Sequence, residues 1–205
     1  KRTLEMRIQD LHNFTQQLDI SGPIITIAHD WGGPISLGWA QLNHRSIKGI
    51  ILLNTAVHQP EKVLAPILIK FVRLPGVLQF CTQVTKIFIR GALHLTKQKS
   101  SSSIKQAFFA PYKSSKRRKG IKQFVQDIPL HNKHKSFETL ELICDRLGTF
   151  KDTPALLIWG AQDKVFSDRY LNDLETRIPH ANVHRFADAG HFISEEIDLS
   201  EIVFT

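Results

Sequence analysis

The sequence predicts a parallel α/β fold interrupted by a helical insertion, on three observations. Short apolar runs rich in β-branched residues recur along the chain, helical patterns lie between them, and a long middle stretch carries helical patterns without a convincing strand. The chain accordingly divides into core at 1–59, inserted cap at 60–152 and core again at 153–205.

Leu4, Ile8, Leu11, Phe14 and Leu18 recur at helical spacing before the breaker cluster Ser21-Gly22-Pro23, which predicts an amphipathic opening helix of about four turns. Residues 23–28 predict a strand buried on both faces, as in a parallel sheet. His29-Asp30-Trp31-Gly32-Gly33 then turns sharply into a second helix through Leu37, Ala40 and Leu42. Residues 47–54 repeat the strand signature, residues 155–160 give a third run after Pro154, and residues 182–186 a weaker fourth. A helix from Asp168 to Ile178 separates the last two, and this alternation implies right-handed crossovers. Within the insertion, Val63, Ile67 and Phe71, then Val77, Phe80, Val84, Ile87 and Phe88, and later Phe137, Leu140 and Leu147 read as helices. Ser100 to Ser103 and the basic run Lys113 to Lys122 predict mobility or exposure.

The 205 residues, 42% hydrophobic and 22% charged, belong to the globular range and exclude a disordered, collagenous or coiled-coil chain. Net charge is +8, so anionic partners enter consideration. Cys81 and Cys144 match no metal or redox spacing and fit a reducing cytoplasm. No apolar run long enough to span a membrane occurs, no histidine spacing suggests a metal, and no glycine fingerprint suggests a dinucleotide, so neither metal nor cofactor is expected. The basic run lacks the aromatic interleaving of a nucleic-acid surface, and contact with an acidic partner or the periphery of a membrane stays open. Lys1 is not an initiator residue and Ile202-Val203-Phe204 carry no stop signal, so a piece of a longer chain is expected.

The chemistry concentrates past the strand ends. In Ala28-His29-Asp30-Trp31-Gly32-Gly33 the sharp turn lifts Asp30 to the carboxyl edge of the sheet, and small neighbours let strand and helix approach. A carboxylate is ionised at neutral pH and needs no base to become a nucleophile. Asp163 follows the third strand and His191 the fourth, where ligands of parallel sheets gather. Plainer roles compete: Asp30 as a helix cap, Asp163 as a turn residue, Trp31 as packing and Asn54 as a turn amide.

With the order Asp30, Asp163, His191 in hand, the chain resembles the α/β-hydrolase superfamily, in its branch with an aspartate nucleophile that includes haloalkane dehalogenases and epoxide hydrolases. The stretches 29–36, 53–60, 110–112, 124–130 and 166–171 look most like the β-lactone decarboxylases of bacterial long-chain olefin biosynthesis. The resemblance implies the C-terminal half of the sheet, about four strands, with an inserted helical cap and with the earlier strands, which carry the second oxyanion donor, missing upstream. It implies Asp30 as nucleophile, His191 as base, Asp163 as the acid that orients it, and Trp31 as oxyanion or leaving-group donor. Asn54, at another strand end, is read from its position alone as either a polar group that meets substrate or a turn amide. The substrate would be small and hydrophobic, a long-chain β-lactone converted to alkene and carbon dioxide, and the partners other enzymes of olefin biosynthesis. Hydrolysis of a haloalkane or epoxide through the same ester is the alternative within this branch, and a silent module that binds a partner is the alternative outside it.

Overall fold

Four strands are parallel, as the alternation of apolar runs and helices predicts, and they lie side by side in chain order: β1 (Ile24–His29), β2 (Ile47–Leu53), β3 (Ala155–Gly160) and β4 (Asn182–Phe186). The computed structural model describes residues 2–60, 73–74, 76–97 and 101–203. The helical expectation at Val63, Ile67 and Phe71, with Ser100, lies outside the described residues.

β2 and β3 are central and buried nearly throughout, so alternate side chains feed two cores. Ile50, Leu52, Leu157 and Trp159 pack with Leu4, Leu37 and Ile143 on one face, while Ile51, Leu53 and Ile158 pack with Ala189 and Ile193 on the other. β1 departs from expectation. It lies at the edge of the described sheet, and Ile25 and Ile27 are 61% and 54% exposed rather than buried. A shallow groove of about 370 Å³ lined by Thr26, Ile27, Ala28 and Trp39 follows the same strand.

The opening helix α1 (Leu4–Thr15) is shorter than its apolar periodicity suggests. The Thr3 hydroxyl caps it by accepting from the Met6 N–H, and Phe14 and Leu18 at its far end stay exposed. After β1 comes α2 (Gly32–Leu42). Beyond β2 the described cap consists of a helical turn Val77–Gln79 running into a π-helical turn Phe80–Val84, then α3 (Ile87–Leu93), α4 (Ser102–Phe109) and α5 (Ser115–Asp127). The basic run, expected to be mobile or exposed, forms most of α5, and Arg118 within it is buried.

Helix α6 (Lys135–Asp145) lies inside the 60–152 segment by chain order, but by packing it joins the body: Leu140, Ile143, Cys144, Leu147 and Phe150 share the main core with β1 to β3. Helix α7 (Asp168–Arg177) then leads from β3 to β4. Asp168 stands at the first position of α7, where its carboxylate forms a forked pair with Arg185 of β4 at 2.7 and 3.0 Å.

A polar seam joins cap to body. Asp127 at the end of α5 accepts from the Ser136 hydroxyl at 2.7 Å, Ser136 accepts from the Leu4 N–H, and Arg7 of α1 lies 3.8 Å from Asp127 while stacking on Phe124.

Candidate active site

The turn from β1 to α2 holds Asp30 at φ 50°, a left-handed backbone that an L-residue adopts only when its surroundings fix it. Three contacts fix it. The Asp30 N–H donates to the Asn54 carbonyl, and the Asp30 carbonyl accepts from the Gly33 N–H and, at 2.6 Å, from the Thr55 hydroxyl. A Cβ at Gly33 would collide with the Thr55 side chain, which gives the second glycine its physical reason. Nothing in the spacing of Thr55 links it to a turn 25 residues earlier, so the sequence alone does not mark this contact.

His191 brings the three predicted polar residues together. Its Nδ1 lies 2.9 Å from Asp163 Oδ2 and its Nε2 3.6 Å from Asp30 Oδ2. Asp163 is wholly buried, His191 nearly so, and the Asp30 carboxylate is 39% exposed toward the cavity. Burial opposes charge on the imidazole, but the hydrogen bond to Asp163 and Coulomb attraction to Asp163 and Asp30 outweigh it and push the His191 pKa up to about 9. The ring is therefore an imidazolium at neutral pH.

Asn54 supports this line from beneath. It has φ 30°, is wholly buried, donates to Asp163 Oδ2 at 2.8 Å and to the Gly160 carbonyl, and accepts from the Gly160 N–H. Its amide faces Asp163 and the β3 backbone, whereas its strand-end position in the sequence leaves a substrate contact and a turn amide equally open. The other Asp163 oxygen accepts from the Val165 N–H at 2.6 Å, which completes the carboxylate's orientation. Gly160 is required here, since a Cβ would strike the Gly190 carbonyl of the loop that carries His191.

His29 packs against His191 with ring centroids 4.7 Å apart, and its Nε2 lies 2.7 Å from the His191 carbonyl, which accepts the proton and so sets the His29 tautomer. Burial, then the neighbouring His191 charge, lowers the His29 pKa and keeps that ring neutral. The backbone N–H of His191 donates to the Leu95 carbonyl, tying the loop to the cap just beyond α3.

Above Asp30 lies a cavity of about 450 Å³ between cap and sheet, lined chiefly by apolar side chains including Trp31, Phe88, Phe124, Phe166 and Phe192. The Trp31 ring meets Phe124 edge to face at 6.0 Å, so the residue after Asp30 forms cavity wall. His58 also lines the cavity and pairs with Glu141 at 2.9 Å, a contact that the sequence did not reveal. The arrangement suits attack by a carboxylate on an apolar substrate, with an adjacent cation to balance charge. Among the described residues, no group of three or more His, Cys, Asp or Glu is placed to hold a metal, and no helix is long and apolar enough to cross a membrane.

The chain is 34% identical to a cis-3-alkyl-4-alkyloxetan-2-one decarboxylase of Xanthomonas campestris pv. campestris over 95% of its own length and 65% of that protein's. A protein of the same name from Shewanella oneidensis is also 34% identical, over 99% of this chain and 64% of the relative. The chain thus spans about two thirds of the length of these curated relatives, slightly less in each case. Among solved structures, the haloalkane dehalogenase DatA from Agrobacterium tumefaciens C58 superimposes with a TM-score of 0.82 at 20% identity, covering 95% of this chain and 68% of that one. DbeA from Bradyrhizobium elkani gives 0.80 at 16% identity, over 95% and 69%. The model of the alpha/beta hydrolase fold matches residues 4–197, nearly the whole chain, so the strand-to-helix turn at Asp30 and the loops at Asp163 and His191 belong to a member of the alpha/beta hydrolase fold family.

Proposed function

We propose that this chain carries the catalytic centre of an enzyme that opens a dialkyl β-lactone and releases carbon dioxide and an alkene. The observation that carries the reading is the Asp30 carboxylate, 3.6 Å from Nε2 of the His191 ring at the floor of an apolar cavity. The two relatives named for decarboxylation of a cis-3-alkyl-4-alkyloxetan-2-one, a four-membered lactone with two alkyl arms, support it.

Asp30 attacks the alkyl-bearing ring carbon bonded to the ring oxygen, not the carbonyl carbon. That carbon–oxygen bond breaks, the ring oxygen leaves as part of a new carboxylate, and Asp30 becomes an alkyl ester. The new carboxylate then loses carbon dioxide. The electron pair of the broken carbon–carbon bond forms the alkene, and the ester bond to Asp30 breaks to restore the free carboxylate. Atoms and charge balance without water or net proton transfer. His191 balances the negative charge as it moves between Asp30 and the opened substrate, Asp163 holds the imidazolium in place, and Trp31, which lines the cavity, is the candidate donor to the substrate oxygens.

A second reading, hydrolysis of a haloalkane or epoxide, draws support from the likeness to haloalkane dehalogenases and from Trp31 beside the nucleophile. It diverges at the ester. Alkylation neutralises Asp30 and removes one cause of the raised His191 pKa, so His191 can release its proton and act as base on water. Incubating the protein with a cis-β-lactone in ¹⁸O-labelled water separates the two: alkene with unlabelled Asp30 supports decarboxylation, and labelled Asp30 with halide or diol release from the matching substrates supports hydrolysis. Asp30→Asn should reduce turnover by about 10⁴-fold or more. Product formation at the wild-type rate in that variant would reject both.

A further inference from the structure

The net charge of the chain is not spread over it. Residues 62–126 contain 14 Lys and Arg and no Asp or Glu, whereas the rest of the chain contains 13 Lys and Arg against 19 Asp and Glu. The whole positive excess therefore resides in the cap, and the body is net acidic. An ordinary solvated face mixes both signs, so a segment this long without one carboxylate asks for an external anion.

Apolar side chains lie among these charges. The π-helical turn runs beside α5, with Lys122 Nζ donating to Gln79 at 3.2 Å at one end and Arg118 donating to the carbonyls of Gln83 and Val84 at the other. Along this strip Phe80, Val84 and Ile87 are 52%, 53% and 48% exposed, while Lys116, Arg117 and Lys119 stand exposed on α5. Arg118 is buried, and it also donates to the carbonyls of Tyr112 and Lys113, so one guanidinium fastens four backbone oxygens and fixes the strip's shape.

We propose that this outer face of the cap docks on an anionic phospholipid bilayer. Exposed Phe, Val and Ile set among cations suit the boundary between headgroups and acyl chains, where apolar burial and attraction to lipid phosphate act together. A nucleic acid or an acidic protein would satisfy the cations alone. The inner faces of the same elements, through Phe88, Ile121, Phe124 and Val125, line the cavity above Asp30. Docking thus leaves about 10 Å, the width of one helix, between lipid and cavity. The docking face exists whatever the reaction; only its use, receiving a dialkyl substrate that partitions into lipid, rests on the proposed function.

The test is flotation of the protein with vesicles of phosphatidylglycerol and phosphatidylcholine, compared with phosphatidylcholine alone, and it reads no activity. Binding is expected to the anionic vesicles and to fall as salt rises. Each basic residue at such a surface tightens binding about fivefold, so Lys116→Glu/Arg117→Glu/Lys119→Glu should weaken it by about 100-fold or more. Phe80→Ser/Val84→Ser should weaken it at unchanged charge, and Arg45→Glu/Lys48→Glu on the body should leave it unchanged. The salt titration of the unaltered protein stands even if a variant folds poorly. Absence of binding to anionic vesicles, equal loss in the body variant, full retention by the Phe80→Ser/Val84→Ser variant, or binding confined to polyglutamate or duplex DNA would each overturn the proposal.

Discussion

In the sheet, Leu52, Leu157, Ile158 and Trp159 have no measurable exposure, and their positions follow from apolar packing on two faces. In the cap, the separate apolar cluster is built on Leu78 and Val125, and polar clamps hold the rest: Arg118 on four carbonyls, and Asp127 with Ser136 and Arg7 at the seam. The contrast teaches that one layer is fixed by area and the other by a few directional contacts. The proposed nucleophile and its partners stand on the first, while the cavity's shape depends on the second.

The sharpest probe of the sheet is Leu157→Ala, which should cost about 3 to 4 kcal/mol in a urea melt because the central strand cannot collapse around the cavity left behind. A loss below about 1 kcal/mol would mean that the sheet is packed no better than the cap.

Titration tests the polar part of the body. His191 has its folded pKa raised, so its stabilisation is fully present below about pH 6.5 and disappears as pH rises through about 9. Melts across that window should show a decline of at most about 3 kcal/mol, smaller in Asp30→Asn because one partner of the imidazolium is gone. A decline as pH falls across the same window would contradict the charged state assigned to His191.

Arg118→Met addresses the cap. Four carbonyls lose their donor, which should cost about 2 kcal/mol, expressed as faster amide exchange around residues 83–85 and 112–114. Exchange in β2 and β3 should not change. If it accelerates equally, the two layers unfold as one and the distinction between them fails.

Much of the body was legible in the sequence because apolar runs, breaker residues and strand-end polar groups are local signals. The β1 turn, the parallel strands and the placing of Asp30, Asp163 and His191 just past strand ends are of this kind. What escaped depends on contacts between distant segments. Asn54 lies at a strand end like any turn amide, and only the approach of β3 turns its side chain to Asp163. Thr55 under Asp30, and α6 joining the main core, are likewise set by tertiary packing. The exposure of Phe80, Val84 and Ile87 was missed for the converse reason: helical periodicity marks an apolar side chain without saying whether anything covers it.

The open flank of β1 has a practical consequence. Within the described sheet its backbone pairs with β2 alone, and Ile25 and Ile27 project into water beside that free rim. Such a rim is a template for adding another extended segment, and the surrounding isoleucines reward whatever attaches. Samples of this chain by itself should therefore self-associate as concentration rises, visible as growing light scattering, and a lysine at position 25 or 27 should keep them dispersed.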